Sequence, residues 1–230
     1  MNARSHSKFQ FYREILMYKL LLTFVVLISA NTFAAPFTSN EGIAESDQMV
    51  RPLLPGMMVD NTCLQDLHKQ TVCTDKLLSE KPTIMVVYRG GWCPYCNAQL
   101  NRLKKIEDKL TDMGYQLLAV SPDSNKSVNE QKKRQKLSYT LLTDNELALS
   151  KELGLAFFLD KKTEQKYRNR LGVEFADING DTRVSLPVPA VYILDKKGMV
   201  HFQYVNPSFR TRLDEKVLLV AAEQALKVMK

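Results

Sequence analysis

Thr83-Ile84-Met85-Val86-Val87-Tyr88-Arg89-Gly90-Gly91-Trp92-Cys93-Pro94-Tyr95-Cys96-Asn97-Ala98-Gln99-Leu100 is the stretch on which the fold turns. Its first six residues form a short apolar run, the pattern of a buried strand. Beyond the two glycines, Cys96, Leu100, Leu103, Ile106 and Leu110 recur at steps of 4, 3, 3 and 4. That spacing lays them along one face of an amphipathic helix. Gly114 is a natural stop, so the spacing predicts a helix over 94–112. Pro94 falls at the first helical position, where a missing N–H costs nothing. Cys93 therefore stands where a strand turns into a helix.

This placement has a chemical consequence. A helix N-terminus offers unpaired N–H groups and the positive end of the helix dipole. Both favour a thiolate, so Cys93 is the expected nucleophile with a lowered pKa. Cys96, one turn on, can resolve a mixed disulfide. Trp92 and Tyr95 flank the pair and would limit water access, and Arg89 is near enough in sequence to assist the thiolate. A small C-x-x-C ring favours a labile bond over an inert staple.

The other two cysteines read differently. Asn61–Gln65 and Gln70–Thr74 resemble two short strands around a polar turn. Centring the hairpin on His68 places Cys63 opposite Cys73, close enough for a bridge. The preferred reading is a structural disulfide, and the sharper one is a second redox pair serving Cys93 and Cys96. A zinc site would want two close-spaced knuckles, and only one C-x-x-C is present. No metal and no cofactor is expected.

Composition bounds the rest. The 230 residues are 45% apolar, enough for a core. The chain carries +7, of which residues 1–34 contribute +3, leaving +4. That is too small an excess to imply a nucleic-acid partner. Leu20–Ala30 is an apolar run of eleven behind Lys19, shorter than the roughly 20 residues that span a bilayer. With Thr32-Phe33-Ala34 after it, it reads as a signal peptide cut after Ala34, with Met17 a more usual start than Met1. The expected product is exported, to a periplasm, without stable membrane insertion. An even cysteine count fits an oxidising compartment.

The stretch Val87–Leu100 resembles the active-site region of the peroxiredoxin-like branch of the alkyl hydroperoxide reductase/thiol-specific antioxidant family. Further motifs agree in order: Leu117–Asp123, Leu141–Asp144, Lys151–Gly154 and Leu186–Asp195. The resemblance implies a thioredoxin-like α/β three-layer sandwich, here with an N-terminal hairpin and an insertion at about 155–188. It also implies that Pro189 is the fold's cis-proline, shaping a substrate groove with Val188. Two departures stand out. Family members carry Thr or Ser three residues before the peroxide-reactive cysteine, where this chain has Gly90. They also carry an Arg near the point where it has Pro189, and no Arg occurs in 188–195.

The expected organisation is a leader over 1–34, an irregular segment over 35–56, and the thioredoxin-like domain over 57–230. Strands are predicted at 83–88, 115–121, 139–143, 190–195 and 200–205, with helices at 94–112, 126–136 and 146–153 and a last one along Leu213–Met229. The insertion, with its Lys and Arg residues, reads as a solvated helix or as a surface for an anionic partner. Met49, Met57 and Met58 read as packing. Asp177–Asp181 reads as a turn, because it lacks the ligand spacing of a calcium loop. Three functions follow. The first is an exported thiol–disulfide oxidoreductase with a protein partner, and the alternative is a thiol-dependent peroxidase using the same pair. The third is a binding module with two inert disulfides. Serine at position 96 should trap mixed disulfides under the first.

Overall fold

The structure is a computed structural model that describes residues 42–171, 175 and 183–229. The expected leader and the Asp177–Asp181 turn lie outside the described residues.

A seven-stranded mixed sheet forms the centre, in the order β2-β1-β5-β4-β3-β8-β9. Its middle is parallel: β3 (Thr83–Val87) lies beside β4 (Gln116–Ser121), and β4 beside β5 (Thr140–Thr143). β8 (Ala190–Leu194) pairs antiparallel with β3, and β9 (Val200–Val205) antiparallel with β8. β3 is buried along its whole length, as a strand covered on both faces must be.

Alternation along the strands builds two cores. Ile84, Val86 and Tyr88 face one way, onto Leu100, Leu103 and Leu110 of the long helix α2 (Pro94–Asp112). Val128 of α3 (Asn125–Gln135) and Leu218 and Ala222 of α6 (Glu215–Val228) join that core. Met85 and Val87 face the other way, with Leu118, Val120, Leu142 and Tyr192. There they meet Leu78 of α1 (Thr74–Glu80) and Leu149 of the short α4 (Ala148–Glu152). This is the thioredoxin-like α/β sandwich that the sequence pattern implied. The predicted bounds of α2 are met at both ends, because Pro94 starts it and Gly114 takes a left-handed φ of 94° just past it.

The hairpin β1 (Cys63–Gln65) and β2 (Thr71–Cys73) pairs Cys63 with Cys73, and the two form a disulfide. Asp66 organises the turn by accepting from the N–H groups of His68 and Gln70. Removing the bridge (C63S/C73S) should lower stability by roughly 2–3 kcal/mol, the chain-entropy value for so short a loop. If it is only a staple, turnover at Cys93 is unchanged. Denaturant titration with a parallel rate measurement checks both.

Two expectations need correction. Met49, Met57 and Met58 are 60%, 47% and 43% exposed, so they do not pack in a core. The irregular segment before the domain is tied to it, where Ala44 N–H bonds Ala156 O and Arg51 N–H bonds Gly154 O. The insertion is more than a solvated helix. It contains β6 (Ala156–Phe158) and β7 (Ser185–Pro187), which pair antiparallel, and between them α5 (Lys161–Leu171). Tyr167 of α5 is buried, and it reaches the region of the cysteine pair.

Candidate active site

The loop from β3 into α2 is clamped at one residue, Gly91. Gly91 N–H donates to Asp123 Oδ2 at 2.6 Å, and Gly91 O accepts from Asn97 Nδ2 at 2.9 Å. Behind it, Tyr88 Oη donates to Gln131 Oε1, and Gln131 Nε2 donates to Asn97 Oδ1. Gln131 is fully buried, so this is a satisfied polar network in low dielectric, which rigidifies the loop. Gly90 has φ +142°, a conformation that side-chain-bearing residues rarely adopt.

Cys93 sits in the N-cap position of α2, and both it and Cys96 are buried free thiols. The Cys93 pKa is lowered to about 6, chiefly by a hydrogen bond from the Cys96 thiol. Burial works against this, while the Cys96 backbone N–H and the charges of Arg89 and Arg212 reinforce it. Burial and the neighbouring Cys93 charge push the Cys96 thiol well above its usual value. The pair is thus divided into a thiolate and a thiol at neutral pH, the division that an attacking and a resolving cysteine need.

Arg89 is 2% exposed, and its Nη2 donates to Tyr167 Oη at 3.0 Å. Its guanidinium lies 5.3 Å from the Trp92 ring, 5.1 Å from Tyr167 and 4.5 Å from Phe209, which makes an aromatic box around a buried cation. Trp92 packs against Tyr167 with the rings tilted at 51°, and Tyr95 packs edge-on against Phe209. Tyr95 is 41% exposed and Pro94 is exposed as well, so they edge the site without closing it.

Val188 and Pro189 are buried at the end of β7. The expected cis bond is not there: no peptide among the described residues is cis. Trans is the ordinary X–Pro state. Val188 N–H already bonds Leu155 O at 2.9 Å. A substrate strand cannot use that donor.

Four contributors were invisible in the sequence pattern. Arg212 Nη2 lies 3.5 Å from Cys96 Sγ. It supplies, from a loop after β9, a cation that no residue of 188–195 provides. Tyr167 and Phe209 arrive from the insertion and from that same loop. Asp123, in the turn after β4, brings a buried carboxylate to Gly91 N–H. Burial raises its pKa to about 6, with the Cys93 charge adding and the Gly91 N–H opposing. The one available signal was Ser121-Pro122-Asp123 in the turn after β4. Among the described residues no group of His, Cys, Asp or Glu could hold a metal ion, and no helix is long and apolar enough to cross a membrane.

Known proteins resemble this chain in sequence and in fold. The AhpC/TSA family profile matches residues 55–203. A putative chloroplastic peroxiredoxin Q of Oryza sativa subsp. indica is 27% identical over 151 residues, which cover 66% of this chain and 58% of that one. The chloroplastic peroxiredoxin Q of Triticum aestivum is 25% identical over 77% of this chain and 70% of its own. The chain thus spans about three-fifths of the length of the first of these relatives. Reduced Prx3 of Vibrio vulnificus, in complex with H2O2, superposes with a TM-score of 0.59 at 17% identity. That likeness covers 74% of this chain and 99% of that one. Peroxiredoxin Q of Xanthomonas campestris gives 0.55 at 16% identity, over 79% of this chain and 99% of that one. These structures share the fold, and the profile match over more than half the sequence places the chain in the AhpC/TSA family.

Proposed function

We propose that this chain is an exported thiol-dependent peroxidase in which Cys93 attacks peroxide and Cys96 resolves. The observation that carries the reading is the divided pair: a buried Cys93 thiolate beside a Cys96 thiol, with two guanidiniums in reach. The peroxiredoxin relatives support peroxide over a protein disulfide as the oxidant. So does the engaged Val188 N–H, which removes a donor that a disulfide-exchange enzyme would offer its substrate chain.

The chemistry balances in two steps. The Cys93 thiolate attacks one peroxide oxygen, the O–O bond breaks, and the departing alkoxide or hydroxide takes a proton to leave as alcohol or water. Cys93 becomes a sulfenic acid. Cys96 then attacks that sulfur and expels water, leaving the Cys93–Cys96 disulfide, which two equivalents of external thiol return to the dithiol. Arg212 and Arg89 favour the negative charge that grows on the leaving oxygen. Export is part of the proposal, supported by the apolar run Leu20–Ala30 behind Lys19 and by the Cys63–Cys73 disulfide.

The test uses Trp92, the chain's only tryptophan, which adjoins Cys93. Reduced protein mixed with stoichiometric hydrogen peroxide should show a fluorescence change orders of magnitude faster than a free thiol's oxidation. The rate follows the thiolate, so it should be level above about pH 7, half-maximal near pH 6, and fall about tenfold per unit below that. A free-thiol rate, with a fast response to a disulfide substrate instead, would return the function to thiol–disulfide exchange.

A further inference from the structure

A cavity of about 150 Å3 opens at Arg89, lined also by Tyr167, Pro189 and Phe209 and by the carboxylates Asp47 and Asp160. A single water needs only some 10–15 Å3 of such space, so a small organic molecule fits. Its charges are separated. Arg89 is buried, and its Nε has no hydrogen-bond partner among the described residues. Among the described residues no carboxylate pairs with it. An unpaired buried donor on a cation is costly, and proteins keep one where a ligand will satisfy it. Asp160 is exposed and Asp47 half-buried, and neither forms an ion pair among the described residues. Asp160 accepts from Thr163 N–H, which leaves oxygen lone pairs free. Aromatic and proline side chains make up the walls between the charges.

A buried cation at one end, carboxylates toward solvent and apolar walls match one ligand chemistry: a small molecule bearing a carboxylate and an ammonium group. We propose that this cavity binds the α-amino-acid end of a low-molecular-weight thiol, the reductant that restores the Cys93–Cys96 dithiol. The inference rests on the redox reading of that pair. Arg89 takes the carboxylate, and Asp47 and Asp160 take the ammonium. The cavity is well placed for this, because the Arg89 charge reaches Cys93 and Phe209 packs on Tyr95 between the two cysteines. The thiolate of the first reductant molecule attacks Cys93 Sγ. A mixed disulfide forms, and Cys96 leaves as a thiolate beside Arg212 before taking a proton. A second thiol then attacks the reductant sulfur, releasing its own disulfide and the Cys93 thiolate.

The experiment oxidises the full mature chain, with peroxide or, independently, with diamide. Re-reduction is then followed by Trp92 fluorescence. Four thiols are compared at equal thiolate concentration: cysteine, 3-mercaptopropionate, cysteamine and 2-mercaptoethanol. The expected result is saturation with cysteine and a second-order rate at least tenfold above each of the other three. In D47N/D160N the ratio of the cysteine rate to the 3-mercaptopropionate rate should fall at least fivefold. Rates linear in concentration and equal across the four thiols would overturn the inference, as would an unchanged ratio in the double variant. Because diamide also forms the disulfide, a slow reaction with peroxide would end the peroxidase reading while leaving this test intact.

Discussion

Cys93→Ser should abolish peroxide turnover, lowering the rate by roughly 10³-fold or more, since no other described thiolate lies in the site. The loss is separable from unfolding. Cys93 occupies the N-cap of α2 and makes no side-chain cap bond there. Serine is among the preferred N-cap residues, worth about 0.5–2 kcal/mol over a non-capping one. The variant should therefore melt at or above the wild-type temperature while being inactive. Cys96→Ser should behave differently: one fast oxidation, then arrest as a sulfenic acid that a dimedone-type reagent captures. Rapid turnover by C93S, or capture of no sulfenic acid in C96S, would remove Cys93 from the attacking role. If C96S instead traps partner proteins as mixed disulfides without peroxide, disulfide exchange is the better description.

Gly90→Thr restores the hydroxyl residue that family members carry, and it should nonetheless fail. A Cβ at this position would run into Trp92 Nε1 and stand 2.5 Å from Asp123 Oδ1, on a backbone whose φ is +142°. Neither neighbour can yield freely. Trp92 is packed against Tyr167, and Asp123 holds Gly91 N–H. Backbone strain and overpacking each cost about 1–3 kcal/mol. The sum corresponds to a fall in melting temperature of roughly 10 °C for a chain of this size, with the peroxide rate falling as the clamped loop shifts. Calorimetry and the Trp92 assay check both. An unshifted Tm with a faster peroxide reaction would mean that the site lacks a hydroxyl and that its arginines do not substitute for one.

These two results bear on how the site departs from its family. The space a threonine side chain would fill is taken by an indole and a carboxylate. The cation expected on the strand after Pro189 comes instead from Arg212, beyond β9. The site keeps positive charge beside the thiol pair and changes which segments deliver it.

The linear pattern was enough for everything governed by neighbours within a turn or a strand. The helix over 94–112 follows from 3.6-residue periodicity bounded by Pro94 and Gly114. The pairing of Cys63 with Cys73 follows from hairpin register. The central strands follow from their apolar runs, and the place of Cys93 at a helix start follows from Pro94. The short strands β6 and β7 escaped notice, because three residues carry too few alternations to show a period. Met57 and Met58 were misread because an apolar side chain near a domain start says nothing about what covers it. Tertiary structure alone decided what surrounds the thiols. Asp123, Tyr167, and the Phe209–Arg212 loop come from three segments far apart in the chain, and no spacing links them. Their meeting depends on how β4, the insertion and the loop after β9 stack over one end of α2. Packing then turns ordinary residues into a thiol lowered by its hydrogen bond from Cys96, a carboxyl raised by burial and a guanidinium whose Nε has no partner among the described residues. Local chemistry is written in residue order, whereas burial and electrostatics depend on distances that exist only after the chain has packed.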